Sequence, residues 1–435
     1  MARPRKHWIG NFGFGQSVVL GLVMGTMLVL SAGMSLAQTY QVIHNFAGGL
    51  DGSEPTSGLT FDAAGNLYGT TFEGDALTGT VYKLQHKTSS WVLTPLYLFP
   101  KGSLNGAIPY ARAVLGKDGS LYSTTGYGGN SQNCPSGCGV VFNMRPTPTP
   151  PTTPLTPWVE TPIYRFGGGS DGANPYGADL IFDAAGNIYG TTYNGGSGTC
   201  TGGCGTVYKL TPSNGIWGES ILYSFTQAGD GQHPWGGVTF DRSGDLYGTT
   251  VYGGAYGRGT IYKLTPSGTG WTEAIVYSFT GGTDGANPYA GLIFDQAANL
   301  YGATGAGGAD SGGTAFELTS DTWNFNLLYS FVGFNGQFVP GPVANLTFDS
   351  AGDLYGTTHT AGPYNYGAVF KLTPGSGGWT YTSLHDFTGG DDGGYPRSSI
   401  LFDKNGNMFG TAAEGGTGNP DNCVGPCGVI FEITP

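Results

Sequence analysis

The stretch Leu59-Thr-Phe-Asp-Ala-Ala-Gly-Asn-Leu-Tyr-Gly-Thr-Thr71 decides the fold, because it returns along the chain. Copies stand at 180–192 (LIFDAAGNIYGTT), 238–250 (VTFDRSGDLYGTT), 292–304 (LIFDQAANLYGAT), 346–358 (LTFDSAGDLYGTT) and 400–412 (ILFDKNGNMFGTA), with a degenerate one at 113–125 (AVLGKDGSLYSTT). Taking the residue before the Asp position as marker gives Phe61, Leu115, Phe182, Phe240, Phe294, Phe348 and Phe402, spaced by 54, 67, 58, 54, 54 and 54 residues. The long interval contains the Pro/Thr run 146–157, expected as an exposed polyproline insertion in a loop.

Around each marker the signals are all β. In the fifth unit the runs Gly291–Asp295, Asn299–Thr304, Gly313–Leu318 and Trp323–Phe331 are separated by Gly-, Asp- and Pro-rich turns, and no 3.6-residue periodicity appears. We denote these strands a, b, c and d. One four-stranded sheet cannot cover both its faces, whereas a ring of sheets packed face to face can, so the pattern predicts an all-β, seven-bladed β-propeller. Tyr40–Phe46 matches strand d, and the chain ends with a strand c, Gly428–Ile433. Pairing the two closes the last blade and removes both edges. The Asp-x-x-Gly-Asn/Asp element (Asp62 to Asn66) reads as the a-to-b turn, with a catalytic or calcium-binding carboxylate as the alternative.

Composition narrows the partners. Glycine supplies 81 residues and charged residues only 11%, while 26 Tyr and 24 Phe provide ample core material. Residues 1–37 carry Arg3, Arg5, Lys6 and an uncharged stretch, Ser17–Met34, ahead of Ser35-Leu-Ala37; they read as a signal peptide cleaved near Ala37, or as a retained anchor. The remaining residues, 38–435, hold 14 basic and 29 acidic side chains, a net −15. Such a surface repels nucleic acid and anionic membranes. No second span of membrane length occurs. The expected location is secreted, periplasmic or at the cell surface, and the expected state a monomer.

The six cysteines form three C-x-x-x-C pairs, Cys134/Cys138, Cys200/Cys204 and Cys423/Cys427. In an oxidising compartment three local disulfides are the simplest account; zinc shared between pairs is the alternative.

Tyr262-Lys-Leu-Thr-Pro266, Val276–Tyr289 (VYSFTGGTDGANPY) and Asn299-Leu-Tyr-Gly302 resemble the GloVer-type tandem repeat of secreted bacterial proteins, over essentially everything after residue 40. The resemblance implies an extracytoplasmic repeat protein with a propeller fold. It supplies no catalytic residues.

Candidate binding residues come from the d-to-a loops. A Pro precedes most markers by six residues, and Pro175 its marker by seven; the residues after these prolines are Thr56, Tyr110, Tyr176, Trp235, Tyr289, Val343 and Arg397. At the start of each innermost strand they would ring one channel mouth. Tyr110, Tyr176, Trp235 and Tyr289 offer faces for sugar rings, with Arg397 and His233 as positions that break the repeat. The competing reading is packing between blades. A secreted module binding a glycan or cell-surface component is thus expected, the alternatives being a propeller enzyme of lyase or lactonase type, or an inert structural or adhesive protein. No metal-ligand spacing of the six His occurs, so no cofactor is expected; Asp-Gly loops such as Asp51-Gly52 keep calcium open without matching the twelve-residue loop.

Overall fold

The computed structural model describes residues 38–435 apart from 75–77, 89, 103, 130–132, 148–157, 228, 269, 334–340, 419–422 and 424–426. The leader assigned to 1–37 and most of the Pro/Thr run lie outside the described residues. Seven antiparallel sheets succeed one another, each in the order a, b, c, d. In blade 1 these are Thr60–Phe61, Leu67–Thr71, Thr80–Lys87 and Ser90–Leu98. The protein is a seven-bladed β-propeller. Thr39–Asn45 pairs antiparallel with Val429–Thr434, from Thr39↔Thr434 to Asn45↔Val429, and is the d strand of blade 7.

Strand a is shorter than the sequence predicts, two residues rather than five. The residues before it peel away from strand b toward the axis. In blades 1 and 7 a serine fills the gap: Thr70 N donates to Ser57 Oγ at 3.2 Å and Thr411 N to Ser398 Oγ at 2.8 Å.

Each apolar cluster spans two neighbouring blades. Tyr68, Val81 and Leu96 of blade 1 pack with Leu121, Phe142 and Met144 of blade 2. Phe409 and Ile430 of blade 7 pack with Leu67 and Tyr82 of blade 1, sealed by Phe46. Core formation therefore requires the ring.

The Tyr-Gly-Thr-Thr signature has a matching logic. Its first Thr reaches the next blade's inner segment, as in Thr124 Oγ1 to Pro175 O (2.9 Å), Thr249 to Ala290 O (2.9 Å), Thr357 to Ser398 O (2.9 Å) and, across the closure, Thr411 to Ser57 O (3.0 Å). Its second Thr ties strands b and c, for example Thr250 to Thr260 at 2.8 Å. The Asp62 carboxylate serves the a-to-b turn. It accepts from Ala64 N and Asn66 N at 2.9 Å, Asn66 Nδ2 at 2.6 Å and Tyr68 OH at 3.1 Å. Burial alone would raise its pKa, but these donors outweigh burial and hold it below the usual carboxylate range.

Outer strands meet through a repeated pair of positions. Tyr277 stacks on Phe325 at 5.0 Å, Tyr329 on Tyr381 at 4.5 Å and His385 on Tyr40 at 3.6 Å. At three further d-strand seams the second partner is Glu160, Glu219 or Glu273, interacting with Tyr97, Tyr164 and Tyr223. Burial pushes Glu160 up to about 8 and, with Asp171 and Asp230 nearby, Glu219 and Glu273 up to about 7. Folded values above the unfolded one mean stability present in acid and lost as pH rises. Melting temperature is expected to fall between about pH 5 and 8, and the triple Glu→Gln variant to show a flatter profile by scanning calorimetry. Equal slopes for the two proteins would exclude these carboxyls as the cause.

Three disulfides are present, Cys134–Cys138, Cys200–Cys204 and Cys423–Cys427. Each second Cys presents its carbonyl to the next blade: Asn174 N, His233 N and Glu54 N donate to Cys138 O, Cys204 O and Cys427 O at 2.7, 2.8 and 3.0 Å. Blades without cysteines make the same contact, as Ile108 N to Thr78 O and Asn287 N to Arg258 O do at 2.8 Å.

Candidate functional site

The d-to-a loop is shaped by its Asp. Asp284 Oδ2 accepts from Thr280 N at 2.8 Å and Tyr277 OH at 3.1 Å, and Asp230 and Asp392 are held alike by Tyr223 and His385. These carboxylates accept hydrogen bonds from their own loops, and no group of three His, Cys, Asp or Glu arranged around a metal position occurs among the described residues. Next, the residue before the loop Pro turns left-handed: Glu54, Ile108, Asn174, His233, Asn287 and Tyr395 have φ between 52° and 60°. Asn tolerates this conformation best, which explains its recurrence.

That turn throws the following residue to the axis. A cavity of about 270 Å³ opens there, lined by Thr56, Tyr110, Trp235, Tyr289, Val343 and Arg397, six of the seven residues marked in the sequence. Tyr176 stands directly behind, stacked on Trp235 at 5.2 Å and donating its hydroxyl to Tyr127 OH at 2.9 Å. Tyr110 meets both rings edge-on and Tyr289 meets Trp235 edge-on at 5.9 Å. The aromatics of blades 2 to 5 therefore form one continuous arc. Glycines seat them: a methyl group at Gly126 would lie 2.6 Å from Tyr176, and one at Gly305 2.8 Å from Tyr289. His233 does not line the cavity. Its Nδ1 lies 2.8 Å from Tyr193 O and its ring stacks on Tyr193 at 4.5 Å.

Two residues further along the inner segment, or three in blade 3, comes the floor: Gly58, Arg112, Asp179, Gly237, Gly291, Asn345 and Ser399. Strand alternation returns the side chain at i+2 to the axis. Here the blades touch. A Cβ at Gly237 would lie 2.6 Å from Asp179 O, and Asn345 Oδ1 accepts from Gly291 N at 2.6 Å. Arg112 bridges to Asp179 at 3.2 Å. Arg397 sits 3.3 Å from His359 Nε2, and burial together with the Arg397 charge pushes His359 down to about 3, leaving it neutral. Thr56 Oγ1 and Arg112 Nε are buried without a hydrogen-bond partner among the described residues.

Arg112, Asp179, Asn345, Ser399 and His359 escape a reading of the sequence that stops at the residue after Pro. For the first four the signal was available: three residues before the marker, polar side chains alternate with glycines.

Fold and site define a closed seven-bladed propeller with an aromatic-walled pocket at one end of its channel. A sequence profile described as the Gloeobacter/Verrucomicrobia repeat matches residues 29–201 and 181–422, and the chain belongs to that family. No curated protein matches the sequence. Among solved structures, the extracellular domain of a one-component system from B. thetaiotaomicron aligns with 12% identity and a TM-score of 0.51 over 91% of this chain. This chain spans 40% of that longer one. A protein assigned as a 6-phosphogluconolactonase from Bacteroides fragilis aligns with 14% identity and a TM-score of 0.50, over 87% of this chain and 89% of that one. At such identities the likeness concerns the fold alone. No helix among the described residues is long and apolar enough to cross a membrane.

Proposed function

We propose that the protein is a non-enzymatic, extracytoplasmic recognition module that binds a glycan through one sugar ring at the channel mouth. The observation that carries this reading is the two-sided pocket: a Tyr110–Trp235–Tyr289 arc, backed by Tyr176, facing Thr56, Arg397 and a polar floor. Aromatic faces take the C–H faces of a sugar, and the lining residues Asn345, Ser399 and Arg397 offer polar groups for its hydroxyls. Its volume is near the lower end of small-molecule sites, roughly 300 Å³, which suits one ring rather than an extended chain. Asp179, the one carboxyl among the lining residues, is bound to Arg112, so a free acid/base pair for hydrolysis is lacking in the lining. The three disulfides favour an oxidising compartment.

A glycan array followed by titration calorimetry tests the reading. Trp235→Ala is expected to weaken binding roughly tenfold to hundredfold while melting within a few degrees of the parent. An array without hits, together with a Trp235→Ala protein that is merely less stable, would refute it and leave these rings as packing.

A further inference from the structure

The charges of the mouth separate by blade. On the floor Arg112 is neutralised by Asp179 at 3.2 Å. Across the pocket from the aromatic arc, the exposed guanidinium of Arg397 has the neutral ring of His359 as its hydrogen-bonding neighbour. The carboxyl that interacts with it is Glu54, which burial and the nearby Glu73 and Glu414 push up to about 7, so that near neutrality it is only a partial counter-charge. The mouth thus holds an under-compensated cation inside a chain whose part after residue 37 carries a net −15. A neutral sugar can accept hydrogen bonds from this guanidinium but leaves its charge without a counter-ion. A strongly polyanionic chain would be repelled by the surrounding surface. One carboxylate satisfies both conditions, because a planar guanidinium takes it in a two-pronged, charge-assisted pair.

Building on the glycan reading, we propose that the sugar is an acidic one, a uronic acid residue, with its ring against Trp235, its hydroxyls toward Asn345 and Ser399 of the floor, and its carboxylate on Arg397. Val343, beside Arg397 in the ring of blades, completes the wall without adding charge.

Matched probes test this: glucuronic acid against glucose, and galacturonic acid against galactose, each as free sugars and short oligomers, titrated into the full chain. The acidic member of a pair is expected to bind roughly tenfold to hundredfold more tightly, with the advantage shrinking as salt rises. Arg397→Gln should abolish the preference and Arg397→Lys restore part of it, whereas Trp235→Ala should weaken both members together. Equal affinity for acidic and neutral members, or a preference that survives Arg397→Gln, would overturn the uronate assignment while leaving glycan binding standing. Failure of every sugar in both pairs to bind, with array hits confined to other neutral glycans, would likewise overturn this assignment alone; failure of the array as well would remove both.

Discussion

A chain beginning at Ala47 is expected to lose cooperative folding, whereas one beginning at Gln38 keeps it. The deleted strand supplies the outer edge of blade 7 and also enters both of that blade's seams. Tyr40 and Val42 pack in the cluster shared with blade 6, where Tyr40 OH donates to Asp392 O at 2.5 Å. Phe46, fully buried, seals the cluster shared with blade 1 and meets Tyr82 edge-on at 5.3 Å. Losing one such buried ring costs about 3–5 kcal/mol, and two seams open together, against a total stability of about 5–15 kcal/mol. Circular dichroism melts of the two chains check this, and Phe46→Ala should fall between them. Coincident melts would mean that the ring closes without the strand.

The second large effect concerns one atom. Gly248 in strand b faces Tyr262 in strand c, and a Cβ at Gly248 would lie 2.6 Å from the Tyr262 ring carbon Cζ and closer still to its hydroxyl. Gly69, Gly190, Gly302, Gly356 and Gly410 meet Tyr82, Tyr208, Phe316, Phe370 and Phe431 in the same way. No positive φ is involved at Gly248, so the requirement is steric alone. Gly248→Val must displace a ring with no free space around it, and a loss of roughly 3 kcal/mol or more is expected. Tyr262 OH is buried without a hydrogen-bond partner among the described residues, so Tyr262→Phe should be nearly neutral. Gly248→Ala with Tyr262→Phe should then be more stable than Gly248→Ala by itself. The degenerate blade already carries such a pair, Ser123 opposite Phe142. Urea denaturation of the four proteins measures the coupling, and strictly additive effects would rule out the contact.

Much of the fold is legible because each blade must repeat the same solutions. Asp62 and its equivalents cap a turn within five residues, Gly248 clears a ring directly across the ladder, and the split of blade 7 shows in the strand-like ends of the chain. The aromatic ring of the site arises from the same periodicity, since the residue after the loop Pro lines the cavity in six blades; Tyr176, whose Pro175 stands one residue further from its marker, is set behind Trp235. His233, on the other side of the Pro, lies outside this rule: it takes the left-handed conformation of the turn itself, and its ring stacks on Tyr193.

By itself, then, the sequence determined the number of blades, the closure, the disulfide pairs and the identity of most residues at the mouth, all of which depend on spacing within a unit or on identity between units. Only the tertiary structure decided which of them share a cavity, that Tyr176 backs Trp235, that Arg112 is cancelled by Asp179 and that Arg397 is left with a neutral histidine. Those pairings join residues 67 and 38 positions apart from different blades. Distances between blades are set by ring closure, and no local pattern encodes them.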